Sequence, residues 1–555
     1  MLNREPRRNI DPVDKFEVKQ SGTQTTKTRA AAQIGRFQVD ALERDALEIL
    51  SLVRSVKNSL APINRIPTEV LSLIPDYFDE DEGDADQDLI TLTHVSRGWR
   101  NIFVSRSSLW TRLDCMDVDK TRTYIQRSES SPLEIFFENG EGDAYPDDAF
   151  ALVIPHIHRI KSLTIRAYTL PAAIIYFSCR TPLLEKLDIR LTCTEVIILN
   201  DSLFDRDLSS LRELTLSGVV THLPWKNLTN LTSLDLTTRR PGKDLISQLL
   251  DFFENAPLLR TIKLKDAIPK SSDAPSGRVV SLPHLSILSI DAYPAHSILL
   301  DHLCIPTGAL VILRFEFAGA TSPLRNHLPE TIENLGNLSH ITTINLRFGA
   351  TEKFIQMEGP SGALHVLGRW KDRTTSAYNM DRRIIGSLVL SVLLTTNRLA
   401  IWRYKHPRPA KGEICPIPQM LSPMSNLRIL MLAECHNLPF ILALSPEKND
   451  SNFVLCPALE ELILYIKTRD QFHIKPLTSM AKGRASRDAK LLSITIVGMD
   501  ELLPGKEVFK LREHIKHVEY RVDDTLPNWN TIPGGGDDSN GESEGGSNDT
   551  DSSSD

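Results

Sequence analysis

The chain has 555 residues, too many for one compact core at roughly 100 to 200 residues per domain, so several units or an extended repeat are required. With 41% apolar residues, 24% charged residues and a net charge of -7, its balance is that of a folded protein and excludes both wholesale disorder and nucleic-acid binding driven by bulk positive charge. There is no run of about 18 apolar residues and no apolar signal-peptide core, so a soluble chain of the cytoplasm and/or nucleus is expected.

Residues 1–35 are polar, rich in Thr, Gln and Arg, and lack apolar periodicity, which predicts a disordered basic arm with Arg7-Arg8 as a weak nuclear-import patch. In residues 36–60, Leu42, Ala46, Ile49, Val53, Val56 and Leu60 recur at spacings of four and three. That stripe predicts an amphipathic helix close to the heptad period, a possible short coiled coil. Three heptads are marginal, so the stripe either self-associates through residues 37–60 or lies against a neighbouring domain.

Residues 61–112 carry three linked phrases: Ile66-Pro67-x-Glu69-Val70-Leu71-x-x-Ile74, then Asp88-Leu89-x-x-Leu92-x-x-Val95-x-x-x-Trp99-Arg100, then Leu109-Trp110. Pro67 suits a first helical turn, where its missing N–H is not needed, and Val70, Leu71 and Ile74 follow on one side of that helix. In this order the phrases resemble an F-box, a small helical unit. The resemblance implies that Ile66, Pro67, Val70, Leu71, Ile74, Leu89, Leu92 and Val95 form or support a hydrophobic surface for a Skp-type adaptor, and through it a cullin. Trp99 and Trp110 are then packing residues. The acidic insert D-E-D-E-G-D-A-D-Q-D between Phe78 and Leu89 departs from the family's shorter turn, and without EF-hand spacing it reads as a solvated loop.

A connector is expected over 113–150. Over 151–525 the phrase L-x-x-L-x-L recurs, from Ile160-Leu163-Ile165 and Leu184-Leu187-Ile189, through Leu310-Leu313-Phe315 and Ile341-Ile344-Leu346, to Leu491-Ile494-Ile496 and Ile515-Val518-Tyr520. Most units start about 20 to 32 residues apart, the mark of leucine-rich repeats. Apolar residues two apart on a strand share one face, so stacked units bury a common core and turn the intervening residue outward. The fold class read from this is α/β: a small helical F-box followed by a leucine-rich-repeat solenoid, with a curved parallel sheet and outer helices or turns. Residues 350–420 break the rhythm; one or two degenerate repeats are expected there, with Gly359-Pro360-Ser361-Gly362 as a turn. Residues 526–555 read as an acidic disordered tail.

On the outward face of the early strands the residues are mixed and charged, with Arg190, Arg314 and Arg347 as candidates for target binding; a uniform phosphate-binding stripe is not present. Met431 and Tyr465 occupy the same positions in later units, as a contact patch or as surface covered by a neighbouring segment. No catalytic motif, cofactor fingerprint or Cys-x-x-Cys spacing is found among the seven cysteines. His156 and His158 are two apart, a spacing that shares one face on a strand, but no third metal ligand is near. Cys435 is read as a packing residue.

The layout resembles the F-box and leucine-rich-repeat proteins common in mushroom-forming fungi. It implies a non-catalytic substrate-recognition subunit of a cullin-RING ubiquitin ligase, whose F-box docks on the adaptor and whose repeats bind a target protein. A repeat scaffold without a ubiquitination role is the second reading. An enzyme with an unrecognised site is the third.

Overall fold

A computed structural model describes residues 22–78, 85–138, 147–168, 177–192, 197–199, 203–206, 208–221, 228–238, 245–267, 277–291, 299–317, 333–349, 352–370, 390–404, 416–446, 454–468, 471, 473–498 and 505–522. The Arg7-Arg8 patch, residues 79–84 of the acidic insert and the 526–555 tail lie outside the described residues. The chain divides into two compact units, Met1–Leu113 with Asp119–Leu133, and Asp114–Val118 with Glu134–Asp555. Among the described residues, no helix is long and apolar enough to cross a membrane.

The first unit is helical: α1 (Gly22–Leu60), α2 (Thr68–Leu71), α3 (Ala85–Val95), α4 (Arg97–Ser105) and α5 (Val118–Arg127), with short 3-10 turns at Pro62–Arg65, Ile74–Tyr77 and Ser107–Trp110. Helix α1 begins at Gly22, inside the stretch whose composition predicted a disordered arm to residue 35. Extending an existing helix needs no apolar stripe, only residues that propagate it, and Ala30-Ala31-Ala32-Gln33 do that well. Pro67 occupies the N-cap position of α2, and the Ser96 side chain caps α4 by accepting from the Trp99 N–H at 3.2 Å.

The second unit is built mainly on one large sheet, with two small parallel pairs beside it, Ile197–Leu199 with Val219–Thr221 and Val280–Ser281 with Leu303–Cys304. From Leu133 onward the strands of the large sheet are β1 (Leu133–Glu138), β2 (Ile160–Ala167), β3 (Lys186–Leu191), β4 (Glu213–Ser217), β5 (Ser233–Thr237), β6 (Thr261–Lys265), β7 (Ile287–Asp291), β8 (Leu310–Phe317), β9 (Thr343–Phe348), β10 (Glu352–Gly359), β11 (Gly362–Trp370), β12 (Arg398–Trp402), β13 (Ile429–Ala433), β14 (Glu461–Ile466), β15 (Ser493–Gly498) and β16 (His517–Val522). Strand β1 joins β2, so the sheet starts within the stretch expected to be a connector, which also supplies α5. The alternation that builds β1 is plain in retrospect: Leu133, Ile135 and Phe137 are buried and the residues between them are not.

From β2 to β8 each strand runs parallel to the next, with the paired apolar residues in register: Leu163, Leu187, Leu214, Leu234, Ile262 and Leu288 form one buried row, and Ile165, Ile189, Leu216, Leu236, Leu264 and Ile290 the next. At β8 the rows continue through Val311 and Leu313, so the core pair lies two residues before Leu313-Phe315. A shift of two preserves the face, and Arg314 still points away from the core.

Helices back the sheet, for example Leu245–Asn255, which buries Ile246, Leu249, Leu250, Phe252 and Phe253. A second line of contacts follows the chain through buried rings: Phe137 stacks on Phe150 at 3.8 Å, Phe150 meets Phe177 edge-on at 6.3 Å, and Phe177 meets Phe204 at 6.0 Å. His156 and His158 fall in a 3-10 turn, Ile154–Arg159, instead of a strand. Residues two apart in such a turn do not share a face.

The order changes in the middle of the sheet. Strand β8 pairs in parallel with β11, β11 is antiparallel to β10, β10 is antiparallel to β9, and β9 pairs in parallel with β12. The spatial order β8-β11-β10-β9-β12 is an antiparallel meander set between two parallel arrays; within the stretch where one or two degenerate repeats were expected, β12 keeps the parallel pairing, with Leu399 and Ile401 buried opposite Leu430 and Leu432. The cause of the meander is connection length. Gly359 pairs with Gly362 across Pro360-Ser361, and so short a link can only return the chain antiparallel, since a parallel crossover takes a dozen or more residues. After β12 the parallel array resumes through β13, β14, β15 and β16.

Several strands end on a left-handed residue whose N–H donates to the last or last-but-one carbonyl of the neighbouring strand. Gly218 donates to Thr237 at 3.2 Å, Asp266 to Asp291 at 2.6 Å, Arg403 to Ala433 at 2.8 Å and Glu434 to Tyr465 at 3.1 Å. At Gly218 the approach is close: a Cβ would sit 2.3 Å from the Leu191 carbonyl oxygen. Gly218→Val combines that clash with an unfavourable φ and is expected to cost about 2 kcal/mol or more, read as a lowered urea midpoint.

Candidate functional site

In the helical unit, the predicted adaptor-contact residues divide between two faces. Leu71, Trp99 and Phe103 form a buried core, packed by Ile66, Ile74, Leu92, Ile102 and Leu109. Leu89 is also buried, whereas Pro67 is exposed and Val70 and Val95 keep 51% and 47% of their surface. Three further apolar residues are exposed beside them: Ile63, Leu73 and Tyr77. With Val70 at the end of α2, Leu73 and Tyr77 in the turns that follow it extend the exposed apolar stripe beyond the motif positions.

The scaffold behind this surface is fixed by polar contacts. Arg106 donates to the Ser72 carbonyl and pairs with Asp76 at 3.0 Å, holding the end of α2 and the following 3-10 turn. Trp110 is fully buried: its Nε1 donates to the Phe103 carbonyl at 2.9 Å, Tyr124 packs edge-on at 5.0 Å, and the Arg127 guanidinium lies over it at 4.2 Å.

In the sheet unit, the residues between the core pairs line up on the face opposite the core. Around β3, Asp188 has only 6% of its side chain exposed and accepts from Arg190 at 2.9 Å, with Arg166 at 4.0 Å. Arg314 donates to Ser289 at 3.2 Å. The Asp188 carboxylate is buried while both arginines stay half-exposed, so the pairs supply the charge partners that a buried carboxylate needs.

The meander changes the character of that face. Asn345 lies opposite Gln356 and Ala400, and Arg347 opposite Phe354 and Trp402. These six side chains, with Leu346, line a pocket. Asn345 Nδ2 donates to Gln356 Oε1 at 3.2 Å, and Asn345 Oδ1 is buried without a hydrogen-bond partner among the described residues. Behind Gln356, His365 retains 2% of its surface, shares a 3.3 Å contact with Glu358 and meets Phe354 edge-on at 5.8 Å. Burial lowers the His365 pKa, opposed by Glu358.

Beyond the pocket, Met431 stands in register between Ala400 and Ile463 and is 3% exposed, which favours cover over an open patch at that position. Tyr465 is half-buried. Of the five candidate target residues, Arg347 alone is in the pocket; Arg190 and Arg314 are on earlier strands. Sequence reading did not single out Phe354 and Gln356, because their strand carries no repeat phrase.

The buried thiols do no visible chemistry. Cys435 Sγ contacts the Ile401 and Ala433 carbonyls at 3.2 and 3.1 Å, and burial pushes its pKa up to about 12, as it does for Cys456. Such a thiol is not a nucleophile at neutral pH. No group of three or more His, Cys, Asp or Glu residues able to hold a metal comes together among the described residues.

A protein-family model described as F-box-like matches residues 63–116. The chain therefore carries an F-box-like domain. The matched segment spans α2 to α4, the Arg106 clamp and Trp110, and includes the whole of the exposed stripe. No curated protein matches the chain significantly.

His365 supplies a pH test. Its pKa is lowered in the folded state, so the unfolded chain takes up the proton first; the stability present above about pH 6.5 is lost as the pH falls below it. Between pH 7.5 and 5.0 the urea midpoint should fall further for the native chain than for His365→Gln, which has no such group to charge.

Proposed function

We propose that this protein is a non-catalytic substrate-recognition subunit of a cullin-RING ubiquitin ligase. On this reading the F-box-like domain docks on a Skp-type adaptor, and the adaptor connects it to a cullin. The sheet unit, read as leucine-rich repeats, presents its open face to a target protein, while other subunits perform ubiquitin transfer. The observation that carries the proposal is the F-box-like segment at 63–116 with an exposed apolar stripe on it. A small helical unit leaving Val70, Leu73, Tyr77 and Val95 in water is completed by a protein partner that covers them. The resemblance of the layout to fungal F-box and leucine-rich-repeat proteins supports the same reading.

For the target, the pocket around Asn345 is the preferred point of entry. Phe354 and Trp402 offer ring surface, Arg347 a cation, and the buried Asn345 oxygen an acceptor for an N–H donor. An extended target segment with an apolar side chain next to a backbone or side-chain N–H fits those groups.

Two variants separate the ends of the device. Val70→Asp alters an exposed position and should reduce adaptor and cullin co-purification at least tenfold while the thermal midpoint is retained; Leu71→Asp would instead unfold the core. Adaptor binding without cullin favours the scaffold reading, and undiminished capture of both partners by Val70→Asp sinks the docking surface. Trp402→Asp should leave adaptor binding intact and abolish ubiquitination of the bound target in a reconstituted ligase.

A further inference from the structure

Helix α1 exposes an apolar seam that the rest of its own unit does not cover. Val39, Leu42, Ile49, Val53, Val56 and Leu60 keep between 59% and 68% of their surface, and with Ala46 they occupy successive a and d positions, with Val39, Ala46, Val53 and Leu60 at a. Arg97 of α4 donates to Ser51, which falls at heptad position f, directly behind the seam. The contact lies off the seam, whose residues stay exposed along its length.

We infer that the seam pairs with the same helix of a second copy, and that the two helices run antiparallel. The flanking residues distinguish the two orientations. Position e carries Glu43, Leu50 and Lys57, and position g carries Gln38, Asp45, Leu52 and Ser59. A parallel, in-register pair brings g against e of the partner: Gln38 meets Glu43, Asp45 meets Leu50, and Leu52 meets Lys57. It forms no ion pair and sets apolar residues against charges, and it leaves Ala46 facing Ala46, a gap in the core layer. An antiparallel pair brings e against e and g against g. Glu43 then faces Lys57 of the other copy, Leu50 faces Leu50 and Leu52 faces Leu52. The core layers become Leu42 with Leu60, Ala46 with Val56, and Ile49 with Val53, so the small residue is matched by a larger one. Charge and volume select the same arrangement.

The pairing would make a two-headed molecule, with the two chains leaving a shared rod of about 30 Å at opposite ends.

Light scattering and sedimentation of the full chain at tens of micromolar should give twice the 62.3 kDa chain mass. Ile49→Asp with Val53→Asp should return it to one chain mass with unchanged circular dichroism; a monomeric native chain, or a dimer that survives both changes, overturns the proposal. Orientation is read by oxidising cysteine variants, with the native chain as control. A mixture of Leu42→Cys and Leu60→Cys should form the mixed disulfide, whereas efficient self-linking of Leu42→Cys marks a parallel pair and overturns the assigned direction.

Discussion

The sheet unit depends on one constraint: no strand in it can bury its own pair of apolar side chains. Leu187 and Ile189 leave water only because Leu163 and Ile165 lie on one side and Leu214 and Leu216 on the other. Each strand is thus both ligand and receptor for its neighbours, and stability belongs to the interfaces more than to any element. The aromatic line from Phe137 to Phe204 repeats that logic behind the sheet, where each ring closes the space beside the next. The recurrent left-handed residue at the strand ends serves the same need, since it carries the hydrogen-bond ladder one residue further before the chain turns away.

This constraint also explains which parts of the molecule could be read from sequence. A buried pair two residues apart imposes period two, and period two is visible, so nearly every L-x-x-L-x-L phrase fell on a strand of the sheet. Strand direction is not written in that period. The phrase at Ile341-Ile344-Leu346 reads like its predecessors, yet its strand lies two places further along the sheet than simple succession implies. The instruction was in Gly359-Pro360-Ser361-Gly362, whose brevity excludes a crossover. Strand β1 escaped notice because Leu133, Ile135 and Phe137 lack the leading leucine of the phrase.

In the helical unit the limit was different. The spacing of Val70, Leu71 and Ile74 identifies a helix with apolar residues, but adjacent residues on a helix point about 100° apart, so Val70 and Leu71 cannot share one environment. Which of them is buried is decided by Trp99 and Phe103, contributed by α4. The pocket on the sheet was harder still to read, since Asn345, Phe354 and Trp402 become neighbours only through the reversed order of the meander. Its membership is a property of topology.

The meander also has a bearing on how the chain finds its structure. Elsewhere in the array, joining neighbouring strands means closing connections of 15 to 27 residues before any apolar contact rewards the loss of chain entropy. Strands β9, β10 and β11 are linked by short turns and can zip together locally, on the timescale of hairpins. That assembled piece has two open edges, and each is the template for one half of the sheet: β11 receives β8, with Leu310 opposite Ala363, and β9 receives β12. An irregularity that looks like a flaw in the repeat is well placed to be its nucleus, with the two parallel arrays growing outward in opposite directions along the chain.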